Sequence, residues 1–324
     1  MKKFTLKKNK SILILTIVAI IAIVVVGIIV SLDLLNTDEE QSQYVFIDDY
    51  ERNVSITQYP PQRIVSLAPS CTEILFALNL GDKIVGIDTY DHYPSEIEEK
   101  IVTNSIPKLG QYADISSESI ILLNPDLVIG AMTVQLPLIE KLELAEYAAM
   151  MINPQTYEDV LNDITLIGEA TGQVEQAELI VAKIQNLAQE IAEKTQDLNK
   201  PRVYIEYSFD AAFQSFGSGS FADEVIRKAG GANIFTNSSS AYVAASSEEV
   251  IVNDPEIIII ASGAMSDAAG LTPGIIRNRP GWDNISAVKN DQIYEIDERL
   301  FLPGVAIEEA LERLAAILHP EVFN

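Results

Sequence analysis

The chain has 324 residues, enough for two domains and an appendage. It sets 22 basic against 47 acidic residues, a net charge of −25, a field that excludes nucleic acid as a partner. Its single cysteine, Cys71, and two separated histidines, His92 and His319, exclude an internal disulfide framework and a thiolate or histidine metal cluster.

In chain order, the first segment is basic and then apolar. Lys2, Lys3, Lys7, Lys8 and Lys10 precede Ser11 to Leu32, a run of 22 residues without a charge. As a helix it would measure roughly 33 Å, enough to span the hydrocarbon core of a bilayer. It is too long for the apolar region of an ordinary cleaved signal, no clear small-x-small cleavage site follows, and it lacks a lipid-anchor cysteine. An uncleaved signal anchor over 1–35 is expected, with the basic end cytoplasmic and everything after it extracytoplasmic. None of the 47 acids precedes Asp33, so the outer part carries 17 basic against 47 acidic residues. That charge suits a solvated surface, a salty medium or a basic docking partner, and does not choose among them. Residues 36–45 are polar and read as a tether.

From Arg63 the pattern is strand, turn, helix: an apolar run to Ala68, then Pro69 and a helix from Ser70 to Leu80. Ser70 and Glu73 have capping-box spacing. Cys71 sits at this helix start, a position that can lower a thiol pKa, although a small buried residue explains it more simply. A second strand, Ile84 to Ile87, follows the Gly81-Asp82 break.

A segment then occurs twice, 130 residues apart. Ser116-Ser117-Glu118 opens a short apolar turn of helix, Asn124-Pro125-Asp126 ends it, and Leu127-Val128-Ile129 follows. Ser246-Ser247-Glu248-Glu249 does the same ahead of Asp254-Pro255-Glu256 and Ile257-Ile258-Ile259. Ser116 and Ser246 suit N-caps, and Ser246 with Glu249 forms a capping box. The apolar runs after proline read as buried parallel strands. Two copies imply two similar α/β lobes, each with a glutamate at an exposed helix start.

Between the copies, Glu175 to Asp197 is the strongest helix. Ala177, Ile180, Val181, Ile184, Leu187, Ala188, Ile191 and Ala192 keep the 3.6-residue rhythm, with no glycine or proline. It is expected to act as a spine between the lobes, against the simpler reading of a helix packed on the first lobe alone. After Lys200-Pro201 comes the strand Val203 to Tyr207, and a Ser-, Phe- and Gly-rich loop leads into a helix from Phe221 to Ala229. Gly217-x-Gly219-x-x-Ala222 resembles a dinucleotide fingerprint, but the strand-to-glycine loop is too long and no ribose-binding acid follows. A glycine-serine turn capping a helix is the better reading.

No nucleophile-base set is present: His92 is the one plausible base of the first lobe, without a Gly-x-Ser-x-Gly elbow. Aromatics in loops after strands are more informative. Tyr90, His92, Tyr93 and Tyr112 belong to the first lobe, and Tyr207, Phe209, Phe213, Phe216 and Phe301 to the second. Ligands of open α/β sheets bind outside the carboxyl ends of the strands, where flat rings can clamp a large, partly apolar ligand.

The run Arg63-Ile-Val-Ser-Leu-Ala-Pro-Ser-Cys-Thr-Glu-Ile-Leu-Phe-Ala-Leu78 resembles the opening of the periplasmic-binding domain shared by vitamin B12, haem and ferric-siderophore binding proteins. Asp91 to Pro94, Asn124 to Val128, Gly217 to Glu224, Arg279 to Trp282, Val288 to Asn290 and His319 to Glu321 resemble further landmarks in their usual order. The resemblance covers about 46–324 and is nearest the vitamin B12 branch. It implies an α/β fold of two Rossmann-like lobes with parallel sheets (46–172 and 200–324), joined by a rigid long helix (173–199), the class III periplasmic-binding fold.

The resemblance also implies capture of a metal chelate outside the membrane and delivery to an ABC importer. No enzymatic activity and no resident cofactor are implied, the chelate, such as cobalamin, being cargo. Glu118 and Glu248 match the glutamates that dock onto permease arginines, and the ATPase is an indirect partner. Tyr90 and Tyr112 resemble ring-stacking residues, and Ala131 or Met132 stands where those relatives have another aromatic. Many relatives have an arginine after the Pro-Gly near the C-terminal helix, where this chain has Val305 and the nearest substitute is Arg299. The missing arginine cluster favours a corrinoid over an anionic chelate. The alternatives are a haem or ferric-siderophore binder, a metal-chelatase-like enzyme, and a surface sensor on the same scaffold.

Overall fold

The computed structural model describes residues 44–323 apart from 92, 104, 210–212, 264, 265, 268 and 269, and of Glu98 and Phe209 the backbone alone. The expected anchor over 11–32 and the candidate His92 lie outside the described residues. Among the described residues no helix is long and apolar enough to cross a membrane. Tyr44 and Val45, expected at the end of the tether, lie in a strand. Strand β1 (Tyr44–Ile47) pairs antiparallel with β2 (Asn53–Ile56), and Tyr44 stacks on Tyr59 at 3.9 Å between ring centroids.

The first lobe is built on β3 (Ile64–Ser66), helix α1 (Pro69–Ala77), β4 (Ile84–Gly86), α2 (Ser95–Val102), α3 (Ser117–Ile121), β5 (Leu127–Gly130), α4 (Leu136–Leu144) and β6 (Ala149–Met151). Its sheet is parallel in the order β4-β3-β5-β6. Helices α5 (Tyr157–Thr171) and α6 (Val174–Thr195) then lead to the second lobe. There β7 (Arg202–Glu206), β8 (Ser208–Phe209), β9 (Phe213–Phe216), α7 (Phe221–Lys228), β10 (Ala232–Asn233), β11 (Tyr242–Ala245), α8 (Ser247–Asn253), β12 (Ile257–Ser262), α9 (Pro273–Arg277), α10 (Ser286–Lys289), β13 (Ile293–Asp297), α11 (Ile307–Leu318) and α12 (Pro320–Phe323) follow. A second parallel sheet has the order β10-β7-β12-β13. Part of the loop expected after Tyr207 is instead a small antiparallel sheet, β11-β9-β8.

The repeat forms as its sequence dictates. Ser116 accepts from the Ser119 N–H, and Ser246 forms a complete capping box with Glu249. Both following strands are buried in the centres of their sheets. A second likeness binds each copy to its lobe. Arg63 Nε donates to the carbonyls of Leu123 and Asn124 at 3.0 and 3.1 Å, at the end of α3. Arg202 Nε donates likewise to Asn253 and Asp254 at 3.2 and 2.8 Å, at the end of α8. The backbone N–H of each arginine is accepted by the acid after the proline, Asp126 or Glu256.

The box expected at Ser70 and Glu73 does not form. Helix α1 begins at Pro69 with Ala68 as an uncapped N-cap, and Glu73 turns inward. Helix α6 begins one residue before and ends two residues before the expected Glu175–Asp197, and its buried residues are Ala177, Ile184, Ile191 and Thr195. Lys183 on α6 pairs with Glu308 on α11. The Tyr157 N–H donates to Glu224 of α7 at 2.8 Å, and the Lys228 ammonium lies 3.7 Å from the Tyr157 ring centroid. One hydrophobic cluster runs from Ile64 and Leu75 through Ile184 to Val225 and Leu314.

Candidate functional site

The carboxyl ends of the two parallel sheets carry the side chains singled out from the sequence. Beyond β4 the chain turns at Asp88, a fully buried carboxylate. Its Oδ1 accepts from the Tyr90 N–H at 2.6 Å and its Oδ2 from the Tyr112 N–H at 3.1 Å. The two rings stack at 5.0 Å with planes 26° apart, and Tyr90 remains 44% exposed. Burial pushes the Tyr112 hydroxyl up to about 12, and the charges of Asp88, Asp91 and Glu298 push the same way. Asp91, also buried, is pushed up to about 7, chiefly by burial.

Met132 lies beyond β5 and is 40% exposed. Buried Gln135 fixes that loop, accepting from the N–H groups of Ala131 and Met132 and donating to the Leu67 carbonyl at 2.6 Å. In the second lobe Tyr207 follows β7, its ring 4.9 Å from Phe216, which in turn is 6.3 Å from Phe301. Phe301 is 2% exposed and belongs to the core, so its ring does not face solvent. Phe213 packs edge-on to Trp282 at 5.6 Å, with the Arg279 guanidinium 4.2 Å from its centroid. The structure therefore brings Tyr90 to Tyr112, links Tyr207 to Phe301 through Phe216, and sets Phe213 apart against Trp282.

Arg299 is turned inward. It is 14% exposed, held by Glu309 at 2.7 Å, Glu73 at 3.5 Å and Asp297 at 3.8 Å, with the Tyr93 ring 3.8 Å away. Glu73 and Tyr93 belong to the first lobe and Arg299 to the second, so the arginine bridges the lobes. Burial raises Glu73 to about 7, against the pull of Arg299. A cavity of 370 Å³ opens beside this bridge between Glu73, Phe76, Tyr93, Arg299 and Glu309, and neither Tyr90 nor Tyr112 lines it. Arg279 is likewise engaged, with two 2.6 Å bonds to the buried Glu206 at the end of β7. Sequence reasoning missed Asp88, Glu73 and Glu206, since a buried carboxylate paired across many residues leaves no periodic trace.

Cys71 is buried, and burial with the charges of Asp163 and Asp91 raises its thiol, so the helix start does not activate it. Gly217 approaches the backbone of Ser240 too closely for any side chain, and Ser220 caps α7, so this turn serves the helix as expected. Among the described residues no group of acids, histidines or cysteines is placed to hold a metal ion. Glu118 and Glu248 are both exposed in the first turns of their helices. The Glu118 carboxyl is held low by its own backbone N–H and by Ser116.

The sequence profile of the family described as periplasmic binding protein matches residues 64–300. An uncharacterized ABC transporter substrate-binding lipoprotein of Bacillus subtilis is 30% identical over 288 residues, covering 86% of this chain and 87% of the relative. A vitamin B12-binding protein of Vibrio cholerae is 26% identical over 268 residues, covering 80% and 90%. The structure of a periplasmic heme-binding protein from Roseiflexus sp. RS-1 superposes with a TM-score of 0.68 at 25% identity, covering 81% of this chain and 99% of that one.

Proposed function

Because the chain belongs to the periplasmic binding protein family, as the substrate-binding component of an ABC transporter rather than an enzyme, we propose that its cargo is cobalamin or a related corrinoid. The observation that carries this reading is the stacked Tyr90–Tyr112 pair beyond the carboxyl end of β4, in a protein whose Arg299 and Arg279 are both held by carboxylates. A corrin macrocycle offers a broad, partly apolar face for aromatic contact. Haem carboxylates or an anionic siderophore would instead require free guanidinium groups. Here Arg299 is bound by Glu73, Asp297 and Glu309, and Arg279 by Glu206. The likeness to the Vibrio cholerae vitamin B12-binding protein supports the same cargo. Tyr90, Tyr112, Met132 and Tyr207 are the contacts we assign to it. Haem is the second reading, favoured by the likeness to a heme-binding protein and by the flatness that porphyrin shares with corrin.

Delivery rests on Glu118 and Glu248, which stand at equivalent places in the two copies of the repeat. They dock onto arginines of the permease, one glutamate per lobe. The protein works outside the membrane, held by residues 11–32 as a single-pass anchor. The carboxylates also suit the positive ends of their helices, an effect that acts without any partner. Uptake distinguishes the two roles. Cells whose own copy is replaced by the Glu118→Arg, Glu248→Arg double variant should lose uptake of labelled cyanocobalamin, while the variant binds the vitamin as tightly as the wild type. Undiminished uptake by that variant would leave the glutamates as helix caps, and uptake of haem alone by the wild type would replace the cargo.

A further inference from the structure

We propose that Asp88 is the positioning residue that builds the tyrosine platform, an inference that rests on the ligand-binding reading of Tyr90 and Tyr112. The two rings lie on separate loops, 22 positions apart in sequence, and nothing in a loop's own chemistry fixes one ring against the other. The structure joins the loops in two steps. First, the segment at 107–110 adds to the edge beyond β4: the Ile87 N–H donates to the Pro107 carbonyl, the Leu109 N–H to Ile87, and the Thr89 N–H to Gly110. Then the Asp88 carboxylate spans the gap with one oxygen on the Tyr90 N–H and the other on the Tyr112 N–H.

The bracket is itself held. The Asp88 N–H donates to Asp91 Oδ2 at 3.0 Å, and the Lys108 ammonium donates to the Thr89 carbonyl at 2.9 Å, beside the bracket. Gly110 adopts φ +140, a conformation side chains avoid, and this turn returns the chain toward Asp88. Asp88 acts by accepting two backbone donors at once, a task for which a carboxylate has the required pair of acceptor oxygens. An amide in its place offers one acceptor and one donor, and the donor meets a backbone N–H.

The test uses the full chain in detergent micelles, labelled with 3-fluorotyrosine. Single Tyr→Phe substitutions assign the fluorine resonances of Tyr90 and Tyr112, whose rings shift one another. In Asp88→Asn the resonances of Tyr90 and Tyr112 should both move while the other tyrosines stay in place, and cyanocobalamin affinity measured by calorimetry should fall roughly tenfold. Asp88→Asn should weaken binding less in the Tyr112→Ala background than in the wild type, since one of the two rings it sets against each other is gone. Unmoved Tyr90 and Tyr112 resonances, or additive losses, would overturn the proposal. If Asp88→Asn does not fold, Asp88→Glu keeps the charge while displacing its oxygens, and is read in the same way. If the wild type does not bind cyanocobalamin, the cargo reading fails and the fluorine resonances alone decide the role of Asp88.

Discussion

At the residue scale, buried carboxylates organise this molecule more than its exposed acids do. Asp163, on α5, is 1% exposed and is raised to about 9, first by burial and then by the charge and hydrogen bond of Asp49. A carboxyl raised on folding takes up a proton between its ordinary value of 3.8 and about 9, so its contribution to stability declines as pH climbs through that window. Asp163→Asn replaces the protonated acid with an amide that can donate to Asp49 without titrating. Thermal unfolding should then rise by several degrees at pH 8 and by less than about 2 °C at pH 4. An equal change at both values would mean that Asp163 does not carry a proton in the folded protein.

Glu73 shows why residue roles were only partly legible. Its spacing from Ser70 matched a local cap, yet its partner is Arg299, across the lobes and 226 positions away. A rule for local hydrogen bonds has no access to such a contact. The placement of Tyr90 and Tyr112 in loops was legible because the carboxyl ends of strands are predictable places, whereas Asp88, which joins them, leaves no such signal. Phe301 was read as a cleft residue from the same placement rule, and its side chain instead completes the core.

At the scale of elements, the repeat was legible in full because it is made of local signals: a serine cap, a proline stop and a β-branched strand. The antiparallel sheet β8–β9–β11 was not, since Phe213-Gln214-Ser215-Phe216 does not alternate apolar and polar residues as an exposed strand would. Ser246→Ala should cost about 1 kcal/mol, because the Glu249 N–H loses its acceptor and Glu249 Oε2 loses the Ser246 hydroxyl as a donor. Arg202→Ala should cost about 1 kcal/mol, by freeing the carbonyls at the end of α8, with the ion pairs adding little at this exposure. Denaturant unfolding measures both. A loss well below these values would show that α8 is held by packing and not by its ends.

At the scale of the molecule, α6 packs along α5 and α11, and the shared core and the Arg299–Glu73 bridge tie the lobes further. Such a body has little freedom to hinge. X-ray scattering should find a radius of gyration that changes by less than about 1 Å when cargo binds, with release left to the transporter. A larger contraction would show a hinge that α6 does not restrain. The acidic surface, with 47 acids and all of them after the basic N-terminus, suits approach to a basic partner.

Calorimetric titration of the full chain with cyanocobalamin, haem and a ferric siderophore tests the central claim most directly. The account predicts tight binding of one cyanocobalamin per chain, weakened by Tyr112→Ala, with no heat from the siderophore. Tight binding of the siderophore with no response to cyanocobalamin would contradict it, because an anionic cargo would have to displace Glu73 or Glu206 from the arginines that now hold them.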